Sequence, residues 1–90
     1  MGIALITMKL MPESPETDLE AIKENAKRII EEKQGKRLNF EEEPIAFGLK
    51  AVKVFFEIDE SQELEPIEDE LKRIENISSV QVVDMRRAFG

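Results

Sequence analysis

Apolar residues recur along this chain at two spacings, every second position and every third or fourth, and the switches between them divide it into six segments. Residues 2–11 are apolar almost throughout, then alternate, with Ile6, Met8 and Leu10 set against Thr7 and Lys9. A period of two predicts a strand, here a central one with Ile6, Met8 and Leu10 inward. Pro12 has no N–H to give a ladder and ends it, and the prolines and serine of residues 12–17 predict a loop. Thr17-Asp18-Leu19-Glu20 resembles a capping box, a hydroxyl residue followed by Glu three positions on. Leu19, Ile22, Ala26, Ile29 and Ile30 follow at helical spacing, with Glu, Lys and Arg on the other face. A helix is expected from Thr17 or Asp18 to Lys33, with Gly35 as its stop.

The period of two returns in residues 37–43, where Leu38 and Phe40 alternate with Arg37, Asn39 and Glu41. This reads as an edge strand whose charges guard its open side. Residues 49–58 form a central strand, with Val52, Val54, Phe56 and Ile58 on one face and Ala51, Lys53, Phe55 and Glu57 on the other. Pro44 and Gly48 between these strands mark a sharp reversal, so Phe47 stands on or beside a turn. Pro66 suits the first turn of a helix, and Leu64, Ile67, Leu71 and Ile74 predict one over residues 65–75. Asn76 and Ser78-Ser79 break it, and residues 80–87 predict a last strand, on which Val80 and Val82 compete with Val83 and Met85 for the inward phase.

Strand, helix, strand, strand, helix, strand is the order of two interleaved split units. It predicts an α+β ferredoxin-like plait, a four-stranded antiparallel sheet with both helices on one face. The expected core is Ile6, Met8, Leu10, Leu19, Ile22, Ile29, Val52, Val54, Phe56, Leu71 and Ile74. That topology puts the 12–17 loop and the Phe47 turn at one end of the sheet and both termini at the other. The helix-free face is expected to show Leu5, Thr7, Lys53 and Phe55.

Ninety residues suit one domain, spanning 1–90. The net charge of −7 argues against a sequence-independent grip on nucleic acid and against docking on an anionic membrane. Histidine and cysteine are both absent, which removes the commonest general base, the usual metal ligands and thiol chemistry. A cytoplasmic protein without catalytic residues, cofactor or metal is the resulting expectation. Glu41-Glu42-Glu43 could hold a divalent cation, but reads more simply as a solvated edge. Ser14, Ser61, Ser78 and Ser79 have no histidine partner for a triad. RNA-binding plaits stack bases on aromatics of both central strands, and the first strand here has none.

Two places remain. Phe47 is either folded under its hairpin to close the core or presented to a partner as an anchor. Arg86, Arg87 and Phe89 are either a charged strand end with a frayed tail or a second contact.

Two stretches carry a resemblance. Pro44-Ile45-Ala46-Phe47-Gly48-Leu49-Lys50 is similar to the Pro-Ile/Val-Gly-Phe/Tyr-Gly-Ile-Lys of the nucleotide-exchange domain of translation elongation factor 1-beta, in its short archaeal-type form. Val80-Gln81-Val82-Val83-Asp84-Met85 is similar to that family's Val-Gln-Ser-Val/Thr-Asp-Ile. The resemblance spans essentially the whole chain. It implies a guanine-nucleotide exchange factor, not an enzyme of covalent chemistry, that binds elongation factor 1-alpha, a GTPase holding GDP or GTP with magnesium. It further implies that Phe47 sits in the partner's second domain, with Pro44, Ile45, Gly48 and Lys50 as partner-binding residues around it, and that the end of the last strand reaches the partner's nucleotide and magnesium site. Eukaryotic members carry a lysine near the C-terminus where this chain has Gly90, so either Arg86, Arg87 or Phe89 disturbs the magnesium site instead, with Arg87 the cation nearer the free end, or the short form works differently. Ala46 also replaces a family glycine. The alternative function is a regulatory plait that senses a small molecule; it requires neither stretch.

Overall fold

The computed structural model describes residues 2–88. The elements are β1 (Ile3–Pro12), α1 (Leu19–Glu32), β2 (Lys36–Pro44), β3 (Lys50–Asp59), α2 (Glu65–Lys72) and β4 (Ile77–Ala88). The strands form one antiparallel sheet in the order β2-β3-β1-β4, the plait expected from the element order. Ile6, Met8 and Leu10 of β1 and Val52, Val54, Phe56 and Ile58 of β3 meet Ile22, Ala26 and Ile30 of α1 and Ile67 and Leu71 of α2 in one buried cluster. Leu19 and Ile29, expected inside, are only half-buried at its margin. Burying each large apolar side chain stabilises by about 1.5–3 kcal/mol, against about 0–1 kcal/mol for an exposed ion pair. The sheet–helix core, not the dense surface charge, therefore holds the fold.

Several boundaries differ from the sequence reading. Asp18, not Thr17, caps α1: its carboxylate accepts from the N–H groups of Glu20 and Ala21 at 3.0 and 3.3 Å. The Thr17 hydroxyl instead accepts from the Ser14 N–H and so braces the preceding loop. The last turn of α1 closes with Gln34 N–H donating to Glu31 O and Gly35 N–H to Ile30 O. Gln34, at φ 71°, takes the left-handed position that glycine usually fills. Gly35 is needed for a different reason, since a Cβ there would lie 2.2 Å from Ile30 Cγ2. Gly35→Ala should therefore lower stability by about 1–3 kcal/mol, as overpacking does. Thermal unfolding followed by circular dichroism checks this, and an unchanged midpoint would mean Ile30 has room to move.

The second helix ends at Lys72 rather than at residue 75, and β4 starts at Ile77, three residues before the expected start. Asn76, at φ 69°, makes the break alone. Ser78 and Ser79 lie within the strand, where the Ser78 hydroxyl donates to Met11 O at 3.2 Å. On an outer strand such polar residues face water without loss.

The competing phases of β4 are settled by a bulge. Met8 pairs with Val82 but Thr7 pairs with Asp84, leaving Val83 as an extra residue. Val80 and Val82 point to the helices. Past the bulge Met85, opposite Ile6, takes that same face yet is 63% exposed.

Candidate partner-binding surface

β2 ends at Pro44, which pairs with Lys50 at the start of β3. The reversal between them is closed by Ile45 N–H donating to Leu49 O at 2.7 Å and Leu49 N–H donating to Ala46 O at 3.3 Å. Two successive residues within it are left-handed, Phe47 at φ 63° and Gly48 at φ 79°. Glycine takes that conformation freely; a phenylalanine there is held at a cost of about 1–2 kcal/mol. The Phe47 ring is 94% exposed, so no packing offsets that cost. The ring is presented, not folded beneath the hairpin. Ile45 is half-buried, while Pro44, Gly48 and Lys50 are exposed around it. Gly48 faces Pro15 of the β1–α1 loop, so that loop and the turn share one end of the sheet. Ala46 does not have a positive φ, and standing where the resemblance has glycine costs it no strain.

At the other end, Ile3 pairs with both Asp59 and Ala88. Arg86 pairs opposite Leu5 on the helix-free face, and Arg87 opposite Ala4 on the helix side. Each guanidinium is held by a carboxylate, Arg86 Nε to Asp84 at 3.0 Å and Arg87 Nε to Glu60 at 2.7 Å. The Glu60 N–H also donates to Gly2 O at 3.0 Å, so one residue of the β3–α2 connection touches both chain ends. Phe89 and Gly90 lie outside the described residues. The two clusters proposed from sequence are thus not brought together; they lie at opposite ends of a molecule 42 Å in its longest extent.

The sequence reading missed Asp84 and Glu60. Asp84 carries a signal, because residues two apart on a strand share a face. Glu60 carries none, being delivered by the turn after β3.

Between the ends, the helix-free face carries Leu5 and Thr7 of β1 and Lys53 and Phe55 of β3, as expected from their alternation, but Thr7 is buried among its neighbours and not on show. Lys53 Nζ stands 5.8 Å from the Phe55 ring centroid. Leu5, Thr7, Phe55, Glu57, Asp84 and Arg86 line a shallow cleft of about 310 Å³ on this face.

The acidic run of β2 is largely paired. Glu43 reaches Lys9 at 3.3 Å, and Glu42 reaches Lys23 at 2.9 Å, fastening β2 to α1. The hydrogen bond from Lys23 pulls the Glu42 carboxyl below its usual range, and the hydrogen bonds to Glu42 and then Glu20 raise the Lys23 ammonium. Asp59 is also lowered, first by the Ser61 hydroxyl and then by the Ser61 N–H. Among the described residues, no three acidic groups converge on a point that would hold a metal ion.

Comparison with known proteins gives concordant matches. The family model described as EF-1 guanine nucleotide exchange domain matches residues 5–88. Elongation factor 1-beta of Methanosphaera stadtmanae is 47% identical over 81 residues, covering 89% of this chain and 90% of that protein. The elongation factor 1-beta proteins of Methanothermobacter thermautotrophicus and Methanosarcina acetivorans are 43% and 41% identical, each covering 97% of this chain and 98% and 99% of their own length. Among solved structures, LarC2, the C-terminal domain of a cyclometallase involved in the synthesis of the NPN cofactor of lactate racemase, superposes with a TM-score of 0.67. That match covers 99% of this chain and 58% of the other at 7% identity, and shows a shared fold alone.

Proposed function

The chain belongs to the family of EF-1 guanine nucleotide exchange domains, and from that premise we propose that it promotes exchange of GDP for GTP on elongation factor 1-alpha by gripping the GTPase with both of its ends. The observation that carries the reading is the Phe47 ring, 94% exposed on a turn strained to present it. Pro44, Ile45, Gly48 and Lys50 frame that anchor and contact the partner beside it. At the far end an arginine of β4 contacts the GTPase near its phosphate loop or magnesium ligands. The work is done by binding, with no covalent chemistry in this chain.

Linkage gives the mechanism. A factor that lowers the GTPase's affinity for GDP is itself bound less tightly, by the same ratio, when GDP is present. Magnesium bridging the phosphates supplies much of the nucleotide's affinity, so disturbing its surroundings is an efficient route to release. Arginine suits the task, since its planar fork of donors matches carboxylate or phosphate and its charge is permanent. An exposed ion pair such as Arg87–Glu60 contributes about 0–1 kcal/mol, whereas hydrogen bonds involving charged groups contribute about 1.5–3 kcal/mol. A pair that weak does not prevent the guanidinium from exchanging its carboxylate for a phosphate oxygen. The reading implies one domain over residues 1–90, working in the cytoplasm.

The test is release of a fluorescent GDP analogue from elongation factor 1-alpha, with unlabelled nucleotide in excess. The expected result is a release rate that rises with the concentration of this protein and then saturates. A rate unaffected at any concentration would overturn the reading.

A further inference from the structure

Neither proposed contact end is large. A stable protein–protein interface takes about 800 Å² from each partner, while a fully exposed aromatic side chain offers about 150–250 Å². A partner that meets both ends of this 42 Å molecule must also rest on what lies between them. The helix layer and the helix-free sheet face both run from end to end, and their surfaces differ in kind.

The helices carry eight carboxylates and four cations, a net −4. None of the exposed large hydrophobics among the described residues, Ile3, Leu5, Phe47, Val83 and Met85, lies on α1 or α2. The helix-free face is close to balanced, with Glu41, Glu43, Glu57, Asp59 and Asp84 against Lys9, Arg37, Lys53 and Arg86, and has Leu5 and the half-buried Phe55 at its middle. Interface centres are depleted of net charge and enriched in apolar and aromatic groups, which describes the second surface and not the first. Leu5 also pairs directly opposite Arg86, so this face is continuous with the arginine end.

We propose that the GTPase seats on the helix-free face along β1 and β3, with Leu5 and Phe55 at the centre of the contact and Lys53 and Arg86 flanking it. The proposal rests on the exchange-factor reading and adds to it the surface that joins the two ends. The cleft lined by Leu5, Thr7 and Phe55 is the socket, shallow enough to take one apolar side chain of the partner.

Leu5→Thr tests it, since it removes apolar atoms, puts a β-branched residue that suits a strand in their place and leaves the charges of Glu57 and Arg86 untouched. Lys53→Glu is a second variant on the same face, and Lys27→Glu on the exposed side of α1 is the control. Each full-length variant is titrated into elongation factor 1-alpha at one ionic strength, with folding checked by circular dichroism. The expected Kd rises about fivefold to tenfold for Leu5→Thr and for Lys53→Glu, and less than twofold for Lys27→Glu. If Leu5→Thr fails to fold, Lys53→Glu decides by the same criterion. Wild-type affinity in folded sheet variants, or an equal loss in Lys27→Glu, overturns the proposal. If Phe47→Ala still weakens binding in that case, the exchange-factor reading stands without it. If the wild-type protein does not bind the GTPase at all, both fall.

Discussion

Phe47→Gly should weaken binding to elongation factor 1-alpha about 30-fold, roughly 2 kcal/mol, while the protein melts within a few degrees of the wild type. The two halves of that expectation come from different facts. The ring is 94% exposed, so removing it from the free protein takes away almost no buried area. Its backbone sits at φ 63°, where a non-glycine residue is strained by about 1–2 kcal/mol. Glycine relieves that strain but raises the entropy of the unfolded chain, by about 0.5–1 kcal/mol, and the two changes largely cancel. Phe47→Ala separates them, since it keeps the strain and loses the ring. Both variants should lose the same affinity, measured by titration against the GTPase. A Phe47→Gly protein that binds like the wild type would mean that the shape of the turn, not the ring, is recognised. A collapse in its melting temperature would mean the ring belongs to the core in solution.

Much of this architecture was legible because it depends on period alone. Ile6, Met8 and Leu10, like Val52, Val54 and Phe56, are inward because alternate strand residues share a face, and all are buried. What was not legible depends on single atoms or single insertions. Whether Thr17 or Asp18 caps α1 turns on which oxygen reaches the Glu20 and Ala21 N–H groups, and both residue types are good caps. Gly35 reads as a left-handed stop, whereas its neighbour Gln34 takes that conformation and Gly35 makes room for Ile30.

The site shows the same division. That Phe47 is on a turn follows from Pro44 and Gly48; that its ring is presented follows from two successive left-handed residues, which no pattern of residue types dictates. The facing of the arginines was hidden by the bulge at Val83. With Val82 inward, strict alternation puts Arg86 toward the helices and Arg87 on the open face. The extra residue reverses the parity, and Arg86 stands opposite Leu5 on the open face while Arg87 stands opposite Ala4. One inserted residue decides which cation can do which job.

Because of that reversal the two arginines should fail in different ways. Arg86 lies on the face proposed to seat the partner, so Arg86→Ala should raise the Kd about threefold to tenfold with little loss in the maximal rate of GDP release. Arg87 lies nearer the free end, and Glu60 holds it in the free protein at 2.7 Å. If Arg87 is the group that reaches the phosphates or magnesium ligands, Arg87→Ala should lower the saturating release rate by about tenfold or more, the loss of one charge-assisted contact. The affinity supplied by Phe47 should remain. The double variant should combine both losses and serves better than deleting residues 86–90, because that deletion removes the strand pairs of Leu5, Ala4 and Ile3 as well as the side chains. Excess magnesium should oppose the wild-type protein more than the Arg87→Ala variant, since only the former competes for the metal's surroundings. Stimulated release measured across a range of protein concentrations separates rate from affinity in one experiment. Full stimulation by the double variant would show that the strand end is inert and that exchange is driven from the sheet face and the Phe47 turn.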